Sequence, residues 1–323
     1  KNALLRNDEQ AIQGQLIKYD RNKGIGKAFT DVTIRDSTQN ILLTGNYGYY
    51  NEQNDYSLMT DSAAFIQITE TDSLYLHADT IRSYYTDEEG NLSTDKQAEV
   101  RHRIVQAYYK TKIFKSNFQA KCDSLIYTFR DSVMEMHKNP VIWSEENQLS
   151  ADYIFVITRN SEVEQVNLED NAFIISQSDS LRFNQIKGKR MIGFVEDRQL
   201  VQINVYEEGE SLYFLKDDDE LLIGSNHITC NDMKIYLKDK KIDRIWFYES
   251  PTAVMKPPKT LSAAEQKLAG FKYEGKQRPK NKYDIFLWHE EAPPEDETAD
   301  DEKPDEAPEE KPENNSGATG TKQ

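Results

Sequence analysis

Only two cysteines, Cys122 and Cys230, occur in 323 residues, so neither a disulfide framework nor a cysteine-rich zinc site can organise the chain. The five histidines, His77, His102, His137, His227 and His289, are scattered, with no i, i+4 pair and no cysteine at ligand spacing. No metal site and no cofactor is expected from them. Neither a Gly-x-Ser-x-Gly nor a Walker sequence occurs. Gly24-Ile25-Gly26 lacks a following helix pattern and reads as a turn. The expectation is a protein that is not an enzyme. No apolar run approaches the length of a bilayer span, which excludes a transmembrane helix. Lys1 opens neither with an initiator methionine nor with a charged-then-apolar leader, the pattern of a processed chain or a fragment.

Positive charge is also scarce, and unevenly so. The net charge is −16, but residues 290–323 hold 13 Asp or Glu against 3 Lys, a local −10, with five of the ten prolines. The remainder is therefore only −6. Residues 290–323 lack aromatic and branched apolar side chains, so a disordered acidic, proline-rich tail is expected there. A nearly balanced body offers no basic stripe, which sets nucleic acid aside as a partner.

What is present is a repeat. Five times a small residue ends one stretch and a hydrophobic alternation begins three residues on: Ala78-Asp79-Thr80-Ile81, Cys122-Asp123-Ser124-Leu125, Ala151-Asp152-Tyr153-Ile154, Gly188-Lys189-Arg190-Met191 and Cys230-Asn231-Asp232-Met233. Two residues before each small residue stands Leu76, Ala120, Leu149, Ile186 or Ile228. Polar turns follow, at Arg130-Asp131-Ser132, Arg159-Asn160-Ser161, Glu196-Asp197-Arg198 and Lys238-Asp239-Lys240. A second strand, a breaker (Asn139-Pro140, Asn171, Gly209, Ser250-Pro251) and a third strand complete each unit. Period-two alternation with this punctuation argues strands. Repetition argues an all-β coil stacked on itself, over residues 1–256 with corners near 78, 122, 151, 188 and 230.

Outside the repeat, residues 16–20 and 32–34 read as strands about a glycine turn, and Gly45 to Tyr50 as a further breaker-rich turn. Residues 86–100 read as a long hairpin loop. Thr260 to Leu268 reads as one short helix ended by Gly270. With the apolar Tyr283 to Trp288, residues 257–289 are expected to cap the open end of the coil.

Each candidate chemistry has a plain structural alternative. With one rung per repeat, Cys122 and Cys230 stand three rungs, roughly 14 Å, apart, and cannot form a disulfide. Asp79, Asp123 and Asp152 stack on one corner with Asp232 nearby. They suit general acid–base chemistry or a calcium ladder, but also hydrogen bonds within the turn, and Lys189 interrupts the row. The 18 Tyr, 13 Phe and 3 Trp either fill a core or line an apolar slot.

Several segments together resemble the OstA-like branch of the organic-solvent-tolerance (OstA/LptA) family. They are Gly45-Asn46 through Tyr49-Tyr50-Asn51, Asp72 through Thr80, Lys121 through Leu125, Pro140 through Ser144, Asn171 through Ser176, Asn184 through Lys189, and Arg278-Pro279-Lys280. The likeness spans about residues 10 to 288. It implies a β-jellyroll (β-taco) that carries lipopolysaccharide, or a related acylated glycolipid, across the periplasm in outer-membrane biogenesis. Other lipopolysaccharide-transport proteins at the inner and outer membranes, including an ATPase complex, would be its partners, with end-to-end self-association. Carried onto this chain's own register, the lipid groove would be lined by Leu76, Leu125, Tyr127, Leu149, Ile154, Val156, Ile186, Met191, Ile228 and Met233. Two other readings fit the periodicity: a ligand-free structural β-solenoid, and a β-helix carbohydrate enzyme.

Overall fold

The small residues mark the points where the chain crosses between two walls. In the computed structural model the described residues are 3–6, 10–38, 40–69, 72–94, 100–160, 162–217, 219–238 and 241–289. Among them 23 strands pair, all antiparallel, and the only helical segments are four 3-10 turns. The first wall runs from Ala3–Arg6 and Gln10–Gly14 through Leu74–His77, Val141–Ser144 and Gly209–Lys216 to Thr252–Lys256. The second runs from Leu16–Asp20 through Thr80–Thr86 and Tyr153–Arg159 to Lys241–Tyr248. Six long strands, among them Phe118–Thr128 and Glu162–Gln177, belong to both walls and bend at the corner between them. Side chains alternate along every strand, so each wall turns one apolar face inward, and the two faces meet as one continuous core.

Seven crossings lead from the first wall to the second, each after a small residue: Gly14, Gly45, Ala78, Cys122, Ala151, Gly188 and Cys230. The steric reason is plain at two of them. A Cβ on Gly188 would lie 2.4 Å from Val205 Cγ1, and one on Gly45 would lie 2.8 Å from Met59 Cγ. The return crossings use paired left-handed residues, from Thr30 and Asp31 through Tyr109 and Lys110 to Glu249 and Ser250, with φ between 52° and 63°. At each level the N–H of the residue after the small one donates to the first carbonyl of such a pair. Asn46 N to Asp61 O is 2.8 Å, Asp152 N to Asp170 O is 3.0 Å, and Asn231 N to Glu249 O is 3.4 Å.

The structure corrects the expected repeat in four respects. Each full unit has four strands, because a short strand such as Asn147–Ser150 was hidden behind a two-residue turn. Successive small corners are thus two strand spacings apart. Cys122 and Cys230 are separated by six spacings, about 29 Å at roughly 4.8 Å each. Both thiols are free. Gly45 to Tyr50 is no turn but part of the strand Ile41–Asn51, whose glycines answer tight packing: a Cβ on Gly48 would meet Val32 Cγ1 at 2.7 Å.

The helix expected at Thr260 to Leu268 contracts to the 3-10 turn Ala264–Gln266. Ser262 and Glu265 do form the capping bonds that suggested a helix. Gln185 then takes the backbone onward: its Nε2 donates to Gln266 O, and its Oε1 accepts from Leu268 N, both at 2.8 Å. Residues 257–289 therefore do not cap the coil's end. They run back along the outside of the first wall as a strap, with Leu261, Leu268 and Phe271 packed on Phe173, Ile175, Leu212 and Phe214. Thr252–Lys256 and Lys241–Tyr248 each pair along one edge only. Ser161, Asp239, Lys240 and residues 290–323 lie outside the described residues, so the expected tail and parts of two polar turns do too.

Candidate functional site

Opposite the corners lies the mouth of the coil, where the hairpin turns of both walls face each other. Eight of the ten expected groove residues are buried in one core cluster: Leu76, Leu125, Leu149, Ile154, Val156, Ile186, Met191 and Met233. Ile154, Val156 and Met191 are 0% exposed. Tyr127 is half-buried against that cluster, and Ile228 is half-buried near the last rungs. The alternation thus brings nine of these residues to one inward face, with the walls in contact across most of it, while Ile228 stands outside that cluster.

Space remains at the mouth. One apolar slot of about 50 Å³ is lined by Leu74, Leu76, Leu125, Tyr127 and Met134 among others. A second, also about 50 Å³, is lined by Phe118, Ile142, Leu149, Val163, Val166, Val195 and Leu200, with Glu162 and Arg198 at its rim. Leu76, Leu125, Tyr127 and Leu149 border these slots; the other six expected residues border neither. Over the second slot Glu162 reaches Lys115 of the opposite wall at 3.2 Å and Arg198 at 2.9 Å.

Nearer the N-terminus the mouth is bridged by buried polar groups. Arg103 Nη1 donates to Asp36 Oδ2 at 2.8 Å, joining the walls, and its Nε donates to Ser83 Oγ at 2.9 Å. Tyr50 OH donates to Gln10 Oε1, a second bridge, and Arg101 holds Asp55 at 2.9 Å beside it. Burial, reinforced by the Asp55 charge, raises the Tyr50 pKa far above 10.0. A cavity of about 120 Å³ exists here as well, with a mixed lining in which Arg6, Gln10, Tyr19, Tyr50 and Glu52 stand beside Leu5 and Ile12. None of these bridging residues stood out in the repeat.

The corner aspartates do not form a carboxylate ladder, because a return crossing lies between each pair. Asp123 Oδ2 meets Lys138 Nζ at 3.2 Å, and Asp152 Oδ2 accepts from Asn171 Nδ2 at 2.8 Å. Lys189, in the same register, pairs with Glu207 at 2.8 Å, and Asp232 Oδ1 accepts from Glu207 N. These carboxylates therefore tie neighbouring crossings together. Burial raises the Cys122 thiol pKa, which keeps it protonated and unreactive at neutral pH.

The strap's anchors were also missed. Gln119, Gln148 and Gln185 each stand three residues before a small corner residue, facing outward. Gln148 Nε2 donates to Lys272 O and its Oε1 accepts from Glu274 N, both at 2.7 Å, as a strand neighbour would. A polar residue at fixed phase inside apolar runs was the available signal.

These features define an all-β, two-walled antiparallel jellyroll coil with an apolar interior that reaches the mouth. No protein-family model matches the chain, and no curated protein matches it. Among solved structures it is similar to LptH, described as the LptA-homologous periplasmic component of the lipopolysaccharide transport device of Pseudomonas aeruginosa. The likeness has 13% identity and a TM-score of 0.31, over 40% of this chain and 82% of that one. Values that low transfer no function.

Proposed function

We propose that this chain is a lipid-binding scaffold of outer-membrane biogenesis, taking acyl chains of lipopolysaccharide or a related glycolipid between its walls. The observation that carries the reading is the pair of apolar slots at the mouth, continuous with the core behind them. Tyr127 and Leu149 would meet an acyl chain first. Leu76, Leu125, Ile154, Val156, Ile186, Met191, Ile228 and Met233 would form the floor as the walls part. Parting is required by size: a dry apolar cavity of about 150 Å³ takes one benzene, three times the volume of either slot. Each Å² of acyl surface removed from water gains roughly 25 cal/mol, which offsets the separation of the walls. The scaffold would act in the periplasm without catalysis, its sugar-bearing end left in water. The one-sided strands Thr252–Lys256 and Lys241–Tyr248 suit stacking against a partner or a second copy.

Native mass spectrometry of the protein extracted gently from cells tests this. An acylated glycolipid bound at about one per chain, and removed by delipidation, is the expected result. The fully buried Ile154, Val156 and Met191 favour a second reading, a ligand-free structural coil. Lipid-free protein from cells that make the glycolipid would establish that reading instead.

A further inference from the structure

On the outside of the first wall, between the strap and the strand His102–Lys115, lies a cleft of about 580 Å³. Its charged lining comprises Lys112, Lys276, Arg278, Lys280, Asp284 and His289. Four cations against one carboxylate leave a surplus of three positive charges, in a chain whose net charge is −16. The one carboxylate is already engaged: the Asp284 oxygens accept from Lys280 N at 2.8 Å and from Asn281 Nδ2 at 2.9 Å.

Two of these cations are in unusual settings. Lys112 is 1% exposed, yet its ammonium is held by neutral acceptors, Leu287 O and Gln277 Oε1. Arg278 likewise donates to Gln119 Oε1 at 2.8 Å and Glu145 O at 2.6 Å. Nearby buried lysines are treated differently: Lys121 pairs with Glu274, and Lys115 with Glu162. A cation with no carboxylate in direct contact keeps much of its field, here only partly offset by Asp284 near Lys112 and Glu146 near Arg278. Burial accordingly pushes the Lys112 pKa down to about 8, with the Lys121 charge adding to the effect. The Trp288 ring, 4.6 Å from the Lys112 ammonium, carries a buried indole N–H with no partner among the described residues. Exposed Lys276 and Lys280 extend the positive field to the rim.

We infer that this cleft is a binding site for a phosphate monoester or a similar doubly charged oxyanion, separate from the mouth and independent of the lipid reading. Arg278 and Lys112 would supply the fixed charge at its base, and Lys276 and Lys280 would close over the anion from the rim. The same chemistry is offered by a soluble phosphate and by a phosphorylated lipid headgroup.

The test uses the full chain and two probes. Inorganic phosphate is titrated calorimetrically at constant ionic strength. Phosphatidylcholine vesicles with and without phosphatidic acid are compared by flotation. The proposal expects saturable binding of at least one probe, weakened roughly tenfold in a Lys276→Gln/Lys280→Gln double variant whose melting temperature is unchanged. A Lys18→Gln/Lys27→Gln control, with the same change in charge elsewhere, should bind normally. Binding of phosphate assigns a soluble ligand; binding of phosphatidic acid vesicles alone assigns a headgroup. No binding of either probe, or equal loss in the control, overturns the site.

Discussion

The two halves of the mouth differ in lining more than in space. Toward the N-terminus a cavity of about 120 Å³ is bounded by Arg6, Gln10, Tyr19, Tyr50 and Glu52, and buried Asp36–Arg103 and Gln10–Tyr50 bridges join the walls. Toward the middle of the coil the slots are smaller, about 50 Å³ each, but apolar, and over the second of them Glu162 bridges buried Lys115 and exposed Arg198. A buried ion pair resists opening because each partner would be left desolvated and alone. An exposed one opens cheaply, since water replaces the lost contact. Asp36 and Arg103 are both buried, whereas the Glu162 bridge includes exposed Arg198, so the N-terminal half is the more firmly latched of the two.

Breaking the latch should have the largest effect. Arg103→Met leaves Asp36 buried without its cation and should cost about 3 kcal/mol in chemical denaturation. The same change should leave the apolar half's ability to take lipid intact.

Tyr50→Phe removes one bridge and should cost about 1 kcal/mol near neutral pH. That contribution fades in alkali. Because the folded pKa of Tyr50 is raised above 10.0, its contribution is complete below pH 10 and is lost as pH climbs further. Denaturation curves at pH 9 and pH 11 should show wild type losing more stability over that interval than Tyr50→Phe. An equal loss would mean the hydroxyl is not held as described.

The smallest change in stability belongs to the other half. Glu162→Gln should shift stability by less than about 1 kcal/mol, since exposed Arg198 is solvated and the new amide oxygen can still accept from buried Lys115. Capture of lipid should rise, because the bridge over the second slot is weakened. A loss of several kcal/mol would show that both halves are latched alike.

Much of this architecture could be read along the chain, and what could not has physical causes. Ala78, Cys122, Ala151, Gly188 and Cys230 announce the crossings because each is small, and at Gly188 even a Cβ would clash with Val205. Gly14 and Gly45 belong to the same series. They were obscured because glycine signals a turn as readily as a close approach. The strap followed a different logic: Val141-Ile142-Trp143 and Phe173-Ile174-Ile175 are apolar on both faces, which a wall covered on its outer side requires. The partners of that outer face lie over a hundred residues away in Lys272, Glu274 and Arg278. Asp36 and Arg103, 67 residues apart, meet for the same reason: stacking sets such contacts, and no local period records them.

The proposed lipid site predicts entry at the apolar half of the mouth and not at the polar half. The direct measurement is photocrosslinking in cells with a benzophenone side chain placed singly at Tyr127, Leu200 or Tyr19, and at the turn residue Asn160 as a water-facing control. Tyr127 and Leu200 should capture an acylated glycolipid strongly, with little at Tyr19 or Asn160. Equal capture at all four positions, or none at Tyr127 and Leu200 in folded protein, would contradict the account.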